Sequence, residues 1–310
     1  MAAEFYGGRL DMTFSTPKCP ACGGSRLRVD SSRLVSFQVL RCHACELVFT
    51  SPLKQGSPER VGSSASSVTD HGYYQNILKS FEAQSSLAEE KIARLLAFYR
   101  ARFGIRPNSV LEFGCGTGQY AAGWAKHGIS WFGVEASPQM LEFCRAREFN
   151  VIDASRVAEI PDGRFDVVYF SQVLEHVLDP RNFLLEVSRL LAADGIVHID
   201  VPNHDSLAST LRKLNPQSSD YGFIQPPHHL IAYTKKSLSS VTAAAGFRTC
   251  YMAVVPNNHP VLGQLMVRPT LLHRLLMKID GVLGTGSLLV SILQKAENPT
   301  QGPTGSFHHD

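Results

Sequence analysis

The strongest constraint on the fold is a short apolar stretch that runs into a glycine-rich turn, from Ser109 to Tyr120. The turn carries glycines at alternate positions, namely Gly114, Gly116 and Gly118. A strand that turns sharply into a helix through residues without side chains lets a ligand approach the backbone and the helix N-terminus. Glu112, near the end of the strand, adds a carboxylate that can face a cationic amine. The dinucleotide-binding fingerprint would place a glycine at position 119, where this chain has Gln119.

Beyond this turn, strand-like and helix-like segments alternate, which indicates a parallel sheet. Residues 130–135 are predicted to form the second strand, and Ser137 with Pro138 marks the start of the helix after it. Glu135 would then stand at the rim where ligands bind in open α/β sheets. A carboxylate there can accept both hydroxyl protons of a ribose, and the alternative is a rim carboxylate exposed to water. Further strands are predicted at 149–152, 164–170, 196–201, 247–255 and 287–294, with a helix at 180–193.

Two Cys-x2-Cys pairs lie near the N-terminus, formed by Cys19 with Cys22 and by Cys42 with Cys45. Nineteen residues separate the pairs, and their apolar positions suit a small hairpin. Each pair presents two thiolates from a tight turn, so the two together predict a four-sulfur zinc site. Because protein ligands fill all four positions, this zinc would be structural, and so small a module would depend on it for folding. His43 is an alternative ligand, but the symmetric spacing favours the cysteines.

Shifts in composition predict the boundaries of the segments. The predicted order is a zinc-ribbon module at 1–50, a flexible linker at 51–72, an α/β domain at 73–297 and a disordered tail at 298–310. Apolar residues at helical spacing predict one or two helices over 73–103. A second apolar stretch, at about 257–285, is predicted to be a helical insertion near the substrate side, with a membrane-surface contact as the alternative.

Composition narrows the classes of protein further. A formal charge of +3 over 310 residues gives no strong electrostatic case for nucleic-acid binding. No run of about 18 uninterrupted apolar residues occurs, which argues against a membrane-spanning helix. No apolar segment of signal-peptide length occupies the N-terminus, and the paired cysteines indicate a reducing compartment. The sequence therefore predicts a cytoplasmic protein.

Motifs at several separate places resemble one family of enzymes. They are Glu-x-Gly-x-Gly-x-Gly at 112–118, Leu-Glu-His-Val at 174–177, Asp-Pro at 179–180, Val-Pro-Asn at 201–203 and the histidine-containing stretch at 226–234. Over roughly residues 105–250 the chain resembles class I S-adenosylmethionine-dependent methyltransferases, in the broad group with ubiquinone-type O-methyltransferases and surface-sugar methyltransferases. The resemblance implies a Rossmann-like, seven-stranded methyltransferase sheet with helices on both faces, preceded here by the zinc ribbon, and S-adenosylmethionine as the cofactor.

The resemblance also implies roles for individual residues. Those implied for cofactor binding are Glu112, Gly114, Gly116, Gly118, Glu135, Asp153, Ala154 and Ser171. In the family, the acidic residue at the position of Asp153 meets the adenine amino group.

Three histidines are candidates for a catalytic base. Transfer from a sulfonium is an in-line displacement to which alignment contributes most, and a positioned base assists an oxygen nucleophile. Two prolines, Pro226 and Pro227, restrict the backbone just before His228 and His229. This favours one of these two over His176, whose apolar neighbours suit packing beside the cofactor.

The sequence departs from the family's pattern at a possible metal site. Ubiquinone-type enzymes bind a divalent metal through a Glu–His pair, matched by Glu175 and His176, and an acidic residue three positions before the glutamate. Gln172 stands at that earlier position. The substitution removes one carboxylate and argues against a catalytic metal.

The zinc module helps to predict the class of the methyl acceptor. It resembles that of bacterial sugar and cell-surface polysaccharide methyltransferases, which predicts a small-molecule or sugar-precursor acceptor, methylated at oxygen. It also resembles the module with which certain ribosomal RNA guanine methyltransferases grip RNA. The near-neutral charge weakens that alternative, as does the absence of an Asn/Asp-Pro-Pro-Tyr motif after the fourth strand. A non-catalytic zinc-ribbon interaction protein is the alternative outside the enzymes.

Overall fold

The computed structural model describes residues 17–34, 36–51, 53, 71–215, 220–226, 228–256 and 285–296, which contain two β-sheets. The strands are β1 Leu27–Ser31, β2 Gln38–Cys42, β3 Val48–Ser51, β4 Ser109–Phe113, β5 Ser130–Glu135, β6 Val151–Asp153, β7 Phe165–Ser171, β8 Leu191–Pro202, β9 Ile231–Ala232, β10 Phe247–Val255 and β11 Leu288–Lys295. The helices are α1 His71–Phe103, α2 Ala121–Lys126, α3 Pro138–Arg145, α4 Pro180–Leu190, α5 Leu207–Leu214 and α6 Lys235–Ala244, with 3₁₀ turns at Ala154–Glu159 and Leu174–His176.

The larger sheet has seven strands in the order β10-β11-β8-β7-β4-β5-β6. Strands β8, β7, β4, β5 and β6 run parallel, while β11 pairs antiparallel with both of its neighbours. The glycine-rich turn follows β4, which lies inside the sheet and pairs with strands on both sides. Parallel strands connected by helices bring their carboxyl ends to one edge, so the predicted rim residues gather there. The predicted α/β class with seven strands is confirmed.

Helix starts follow the capping residues expected from the sequence. The hydroxyl of Ser137 accepts a hydrogen bond from the backbone N–H of Met140 at the start of α3. Thr234 and Ser237 form a reciprocal capping box at the start of α6. Each cap satisfies a backbone donor that the first helical turn leaves without an internal partner.

One predicted boundary is wrong. The helix predicted over 180–193 ends at Leu190, and Leu191 already belongs to β8, where it pairs with Phe165 of β7. Both side chains are buried. The pairing with a distant strand outweighs the local preference for helix, which is a weak constraint on its own.

The smaller sheet joins the N-terminal segment to the C-terminal half of the chain. Its order is β1-β2-β3-β9, and all pairs are antiparallel. Phe49 of β3 pairs with Ile231 of β9, and the N–H of Thr50 donates to the carbonyl of Leu230 at 2.9 Å. The hairpin predicted between the cysteine pairs is present as β1 and β2. Its sheet is completed by a strand far along the chain.

Some predicted segments lie outside the described residues. Helix α1 begins at His71, two residues before the predicted start at Tyr73, and it is a single helix, where one or two were predicted. Most of the predicted linker, the predicted insertion at 257–285 except its last residue, and the predicted tail fall outside the described ranges. None of the helices in the described part of the chain combines the length and hydrophobicity needed to cross a bilayer.

Candidate functional site

The glycine turn after β4 is shaped by backbone conformations that favour glycine. Gly114 has φ of 63°, and a Cβ there would lie 2.6 Å from Cγ2 of Val173. Gly116 has φ of 55°, yet among the described residues nothing lies within 4 Å of the place where its Cβ would be. The first glycine thus allows close packing, whereas the second leaves open space beside the backbone, as a ligand cradle requires.

Glu135, at the end of β5, holds this turn in place. Its Oε2 accepts a hydrogen bond from the N–H of Gly116 at 2.7 Å, and its Oε1 accepts from the N–H groups of Ala136 and Ser137, both at 2.8 Å. Each carboxylate oxygen has two lone pairs and three of the four are used, so one lone pair, on Oε2, remains for a further donor. Glu135 therefore occupies the predicted rim position and is oriented by three backbone bonds.

The next strand places a second acidic side chain beside the first. Asp153 ends β6 and is the register partner of Glu135 across the parallel pair. Its carboxylate accepts from the N–H of Ser155 at 2.8 Å, and hydrogen bonding to Ser155 lowers the pKa of Asp153. Ala154 follows directly and is buried. The structure brings together these three residues, which the sequence grouped only through the family resemblance.

Glu112 is buried at the end of β4 on the same side of the sheet as Trp131. Its Oε2 accepts a hydrogen bond from the indole Nε1–H of Trp131 at 2.7 Å. Burial raises the pKa of Glu112 to about 8, although the Trp131 bond and the nearby charge of Lys91 act in the opposite direction. Glu112 lies in the expected strand, and its bond to Trp131 was not predicted.

The exit of β7 is fixed by Asp200, a residue that the sequence analysis missed. The hydroxyl of Ser171 donates to Oδ1 of Asp200 at 2.7 Å, and Nε2 of Gln172 donates to the same oxygen at 3.2 Å. Gln172 has φ of 56°, a conformation that is costly for a non-glycine residue and is maintained here by its contacts. The available signal was a carboxylate among the mainly apolar residues at the end of β8.

The three candidate histidines lie close together, after the end of β7 along the chain. The rings of His176 and His229 contact edge to face, with centroids 4.6 Å apart. Nδ1 of His176 lies 3.0 Å from the carbonyl oxygen of His228, so this nitrogen donates and Nε2 of His176 carries the lone pair. Burial lowers the pKa of His176 and lowers the pKa of His229 to about 3. The rings of His176 and His229 thus meet beside the Leu174–His176 turn, and His228 joins this cluster through its backbone carbonyl.

Glu175 completes a group of potential metal ligands with two of these histidines. One ligand atom each from Glu175, His176 and His229 lies within 4.8 Å of the others. Glu175 is 1% exposed, and neither of its carboxylate oxygens has a hydrogen-bond partner among the described residues. An unpartnered buried carboxylate is costly unless it is protonated or binds a cation, so this set fits a divalent metal in its donor chemistry.

The four cysteines of the N-terminal pairs also converge. Sγ of Cys19 lies 3.4 Å from Sγ of Cys45, and Sγ of Cys22 lies 3.6 Å from Sγ of Cys42. Tetrahedral zinc with Zn–S bonds of about 2.3 Å places its sulfurs about 3.8 Å apart. All four are free thiols in the structure and fall within one potential metal-binding group. Their arrangement fits the predicted four-sulfur site.

The comparison with known families decides the class of the chain. A family model described as "Methyltransferase domain" matches residues 83–251, more than half of the sequence. The chain belongs to this methyltransferase domain family. The match runs from within α1 into β10, so it includes the glycine turn, the acidic rim and the histidine cluster but not β11.

Curated relatives match part of the same region. A ubiquinone biosynthesis O-methyltransferase of Pseudomonas paraeruginosa (strain DSM 24068 / PA7) is 31% identical over 115 residues, which cover 34% of this chain and 50% of that protein. A probable chloroplastic tocopherol O-methyltransferase of Oryza sativa subsp. japonica is 30% identical over 164 residues, which cover 47% of this chain and 44% of that protein. The chain thus spans about half the length of these two relatives.

A solved structure supports the fold. The plantazolicin methyltransferase BamL, in complex with a triazolic desmethylPZN analog and SAH, superimposes with a TM-score of 0.51 at 14% identity. The alignment covers 75% of this chain and 94% of that one. At this level of identity the likeness concerns the fold alone, and it agrees with the seven-stranded sheet.

Proposed function

We propose that this chain transfers the methyl group of S-adenosylmethionine to an oxygen atom of a small-molecule acceptor. The observation that carries the proposal is the rim formed by Glu135 and Asp153 beside the open glycine turn. Glu135 is already oriented by three backbone N–H groups, and the lone pair left on its Oε2 accepts a ribose hydroxyl. Asp153, on the neighbouring strand, accepts a hydrogen bond from the adenine amino group. Gly116 leaves room for the part of the cofactor that carries the sulfonium.

The other cofactor contacts follow from the same edge of the sheet. Glu112 lies below the turn and faces the amino group of the methionine moiety, whose positive charge favours the ionised carboxylate. Ala154 and Ser171 flank the adenine, one after β6 and one at the end of β7. Asp200 fixes the Ser171 hydroxyl and the Gln172 backbone, so it acts by positioning rather than by contact.

We assign His228 as the general base that takes the acceptor hydroxyl's proton. Its Nε2 is buried and has no hydrogen-bond partner within the described ranges, which leaves it available to the acceptor. The carbonyl of His228 is held by Nδ1–H of His176 at 3.0 Å, so the two residues are fixed to each other. His229 is the weaker candidate because burial lowers its pKa to about 3. A base with so low a pKa has little driving force for proton abstraction near neutral pH.

A divalent metal fits beside this base. Glu175, His176 and His229 would hold it, and the metal would polarise an acceptor oxygen and lower the pKa of its hydroxyl. The remaining contributions come from the chain itself, through alignment of the acceptor by the histidine cluster and the removal of its proton by His228.

The four-cysteine cluster holds a structural zinc in this proposal. With four thiolates there is no open coordination position, so the metal supports the fold of the small sheet. Oxygen as the methylated atom rests on the histidine cluster and on the two curated relatives, both of which are O-methyltransferases by name. A sugar or polysaccharide precursor is the acceptor we favour within the small-molecule class, on the strength of the zinc module.

The test is labelled methyl transfer from S-adenosylmethionine into a fractionated cell extract. Label is expected in the small-molecule fraction, and NMR of the labelled product identifies the methylated atom. His228→Ala should lower turnover roughly 10²–10⁴-fold while cofactor affinity stays unchanged. His127→Ala, at an exposed histidine that ends α2, is the matched control and should leave both unchanged.

Three results would contradict the proposal in different ways. Label in the RNA fraction would reject the small-molecule class. Tight cofactor binding with no label in any fraction would favour a non-catalytic protein. Normal turnover of His228→Ala, with the fold intact, would reject His228 as the base.

A further inference from the structure

An arginine in the cysteine-bearing N-terminal segment binds the backbone of a distant part of the chain. Arg33 lies between β1 and β2, in the stretch that separates the two cysteine pairs. Its Nη1 donates to the carbonyl oxygens of Lys213 at 2.7 Å and of Asn215 at 3.1 Å. Its Nη2 donates to the carbonyl oxygen of Arg212 at 3.1 Å and to that of Asp220. One guanidinium therefore binds four carbonyl oxygens that lie 179 to 187 positions further along the sequence.

The chemistry of this contact suits an arginine. Three of the four carbonyls belong to the C-terminal end of α5, whose C-cap is Asn215. The last carbonyls of a helix have no partner within the helix and form the negative end of its dipole, so a cation with several donors binds them well. The guanidinium of Arg33 also lies over the ring of Tyr221, 5.5 Å from its centroid, and the Tyr221 hydroxyl is 3.3 Å from Oδ2 of Asp30. Arg33 therefore holds the end of α5 and the start of the segment after it.

Hydrogen bonds continue from Asp220 to the histidine cluster. Nε2 of Gln225 donates to Oδ2 of Asp220 at 2.7 Å. The backbone N–H groups of His228 and His229 donate to the carbonyl of Gln225 at 2.9 and 3.1 Å, and the N–H of Gln225 donates to the carbonyl of His229 at 2.9 Å. Asp220 thus binds Arg33 through its carbonyl and Gln225 through its carboxylate, and Gln225 binds the backbone of both histidines.

We propose that Arg33 is a positioning residue for methyl transfer, which fixes the backbone that carries His228 through Asp220 and Gln225. The inference rests on the proposed function, in which His228 is the base. A base must lie within hydrogen-bond reach of the proton it removes, and a displacement of about 1 Å can lower the rate about 10²-fold. None of the four carbonyls that Arg33 binds belongs to the glycine turn or to the acidic rim. The cysteine-bearing segment thereby contributes to the acceptor side of the site and not to cofactor binding.

The experiment is a double-mutant cycle on the full chain. Transfer of labelled methyl from S-adenosylmethionine into the small-molecule fraction of a cell extract is measured for wild type, Arg33→Met, His228→Ala and the double variant. Arg33→Met should lower turnover roughly 10- to 100-fold in the wild-type background. In the His228→Ala background it should change turnover less than about 3-fold, because the base that it positions is absent. Arg33→Lys keeps the charge but not the planar fork, so its turnover should fall between those of wild type and Arg33→Met.

The matched control is Arg26→Met, at an exposed arginine of the same N-terminal segment, which should leave turnover unchanged. Calorimetry should give the same S-adenosylmethionine affinity for all these variants. If Arg33→Met fails to fold, Gln225→Met, which breaks the bond to Asp220, takes its place in the cycle and should show the same pattern.

Two kinds of result would overturn the inference. Equal fold losses in the two backgrounds, or full turnover of Arg33→Met, would overturn the positioning role and leave the proposed function standing. Full turnover of His228→Ala, or no methyl transfer by the wild type into any fraction, would overturn the inference together with the proposed function.

Discussion

The buried carboxyl of Glu112 gives a prediction about how stability depends on pH. In the folded protein burial raises its pKa from 4.5 to about 8, so the folded state binds a proton that the unfolded state has already released. Stability from this group is fully present below the unfolded value and is lost as pH rises through the folded value. Glu112→Gln keeps the shape of the side chain and cannot ionise. The difference between wild type and variant should therefore change with pH.

The magnitude follows from the pKa values. Between pH 6 and pH 8 the wild type should lose roughly 2 kcal/mol of unfolding free energy relative to Glu112→Gln, because one pKa unit corresponds to about 1.4 kcal/mol. Urea titrations of the cofactor-free protein at the two pH values measure this difference. Histidines titrate in both proteins, so their contribution cancels in the comparison.

The control is Glu142→Gln, which replaces an exposed carboxyl on α3. Its difference from wild type should be the same at both pH values. A Glu112→Gln difference that is equally constant would show that Glu112 ionises with an ordinary pKa. That result would also remove the argument that burial controls this group.

Three further outcomes are expected. Glu135→Ala should weaken S-adenosylmethionine binding by roughly tenfold to a few hundredfold in calorimetry, since it removes charge-assisted acceptors; unchanged affinity with an intact fold would reject the ribose assignment. Purified protein should contain about one zinc per chain by elemental analysis, and Cys42→Ser should lose this zinc. Wild-type protein without zinc would contradict the assignment. Thr234→Ala should lower the unfolding free energy by about 1 kcal/mol through loss of the α6 cap, and a change near zero in urea titration would show that the cap is redundant.

The sequence was most informative where the chemistry is local. Glu135 could be placed at the rim because Ser137 and Pro138 mark the helix start that follows it, and the structure puts it there. The parallel pairing in the large sheet likewise follows from alternation along the chain, and its seven strands follow from the family resemblance. Capping at Thr234 depends on residues three positions apart, so the sequence contains all of the relevant information.

Contacts between distant segments were harder to predict. His229 meets His176 and Glu175 although they are more than 50 positions apart, and no local pattern records that distance. Lys91 had a weak local signal, because it interrupts an apolar helical stripe that includes Ile92 and Leu95. A single charged residue in such a stripe usually lies at the solvated edge of the helix. Lys91 differs because its Nζ donates to the hydroxyls of Tyr120 and Tyr169.

The pairing of β3 with β9 links the zinc cluster to the histidine cluster. Cys45 lies three residues before the start of β3, and His229 lies two residues before the start of β9, so the paired strands connect the cysteine cluster to the histidine cluster through the backbone. Tyr233 adds a second link, because its hydroxyl donates to the carbonyl of Leu174 at 3.4 Å, next to Glu175. The glycine turn and Glu135 make their own contacts within the large sheet. Loss of zinc should therefore displace the acceptor-side histidines before it disturbs the cofactor edge, and it should lower turnover more than cofactor affinity.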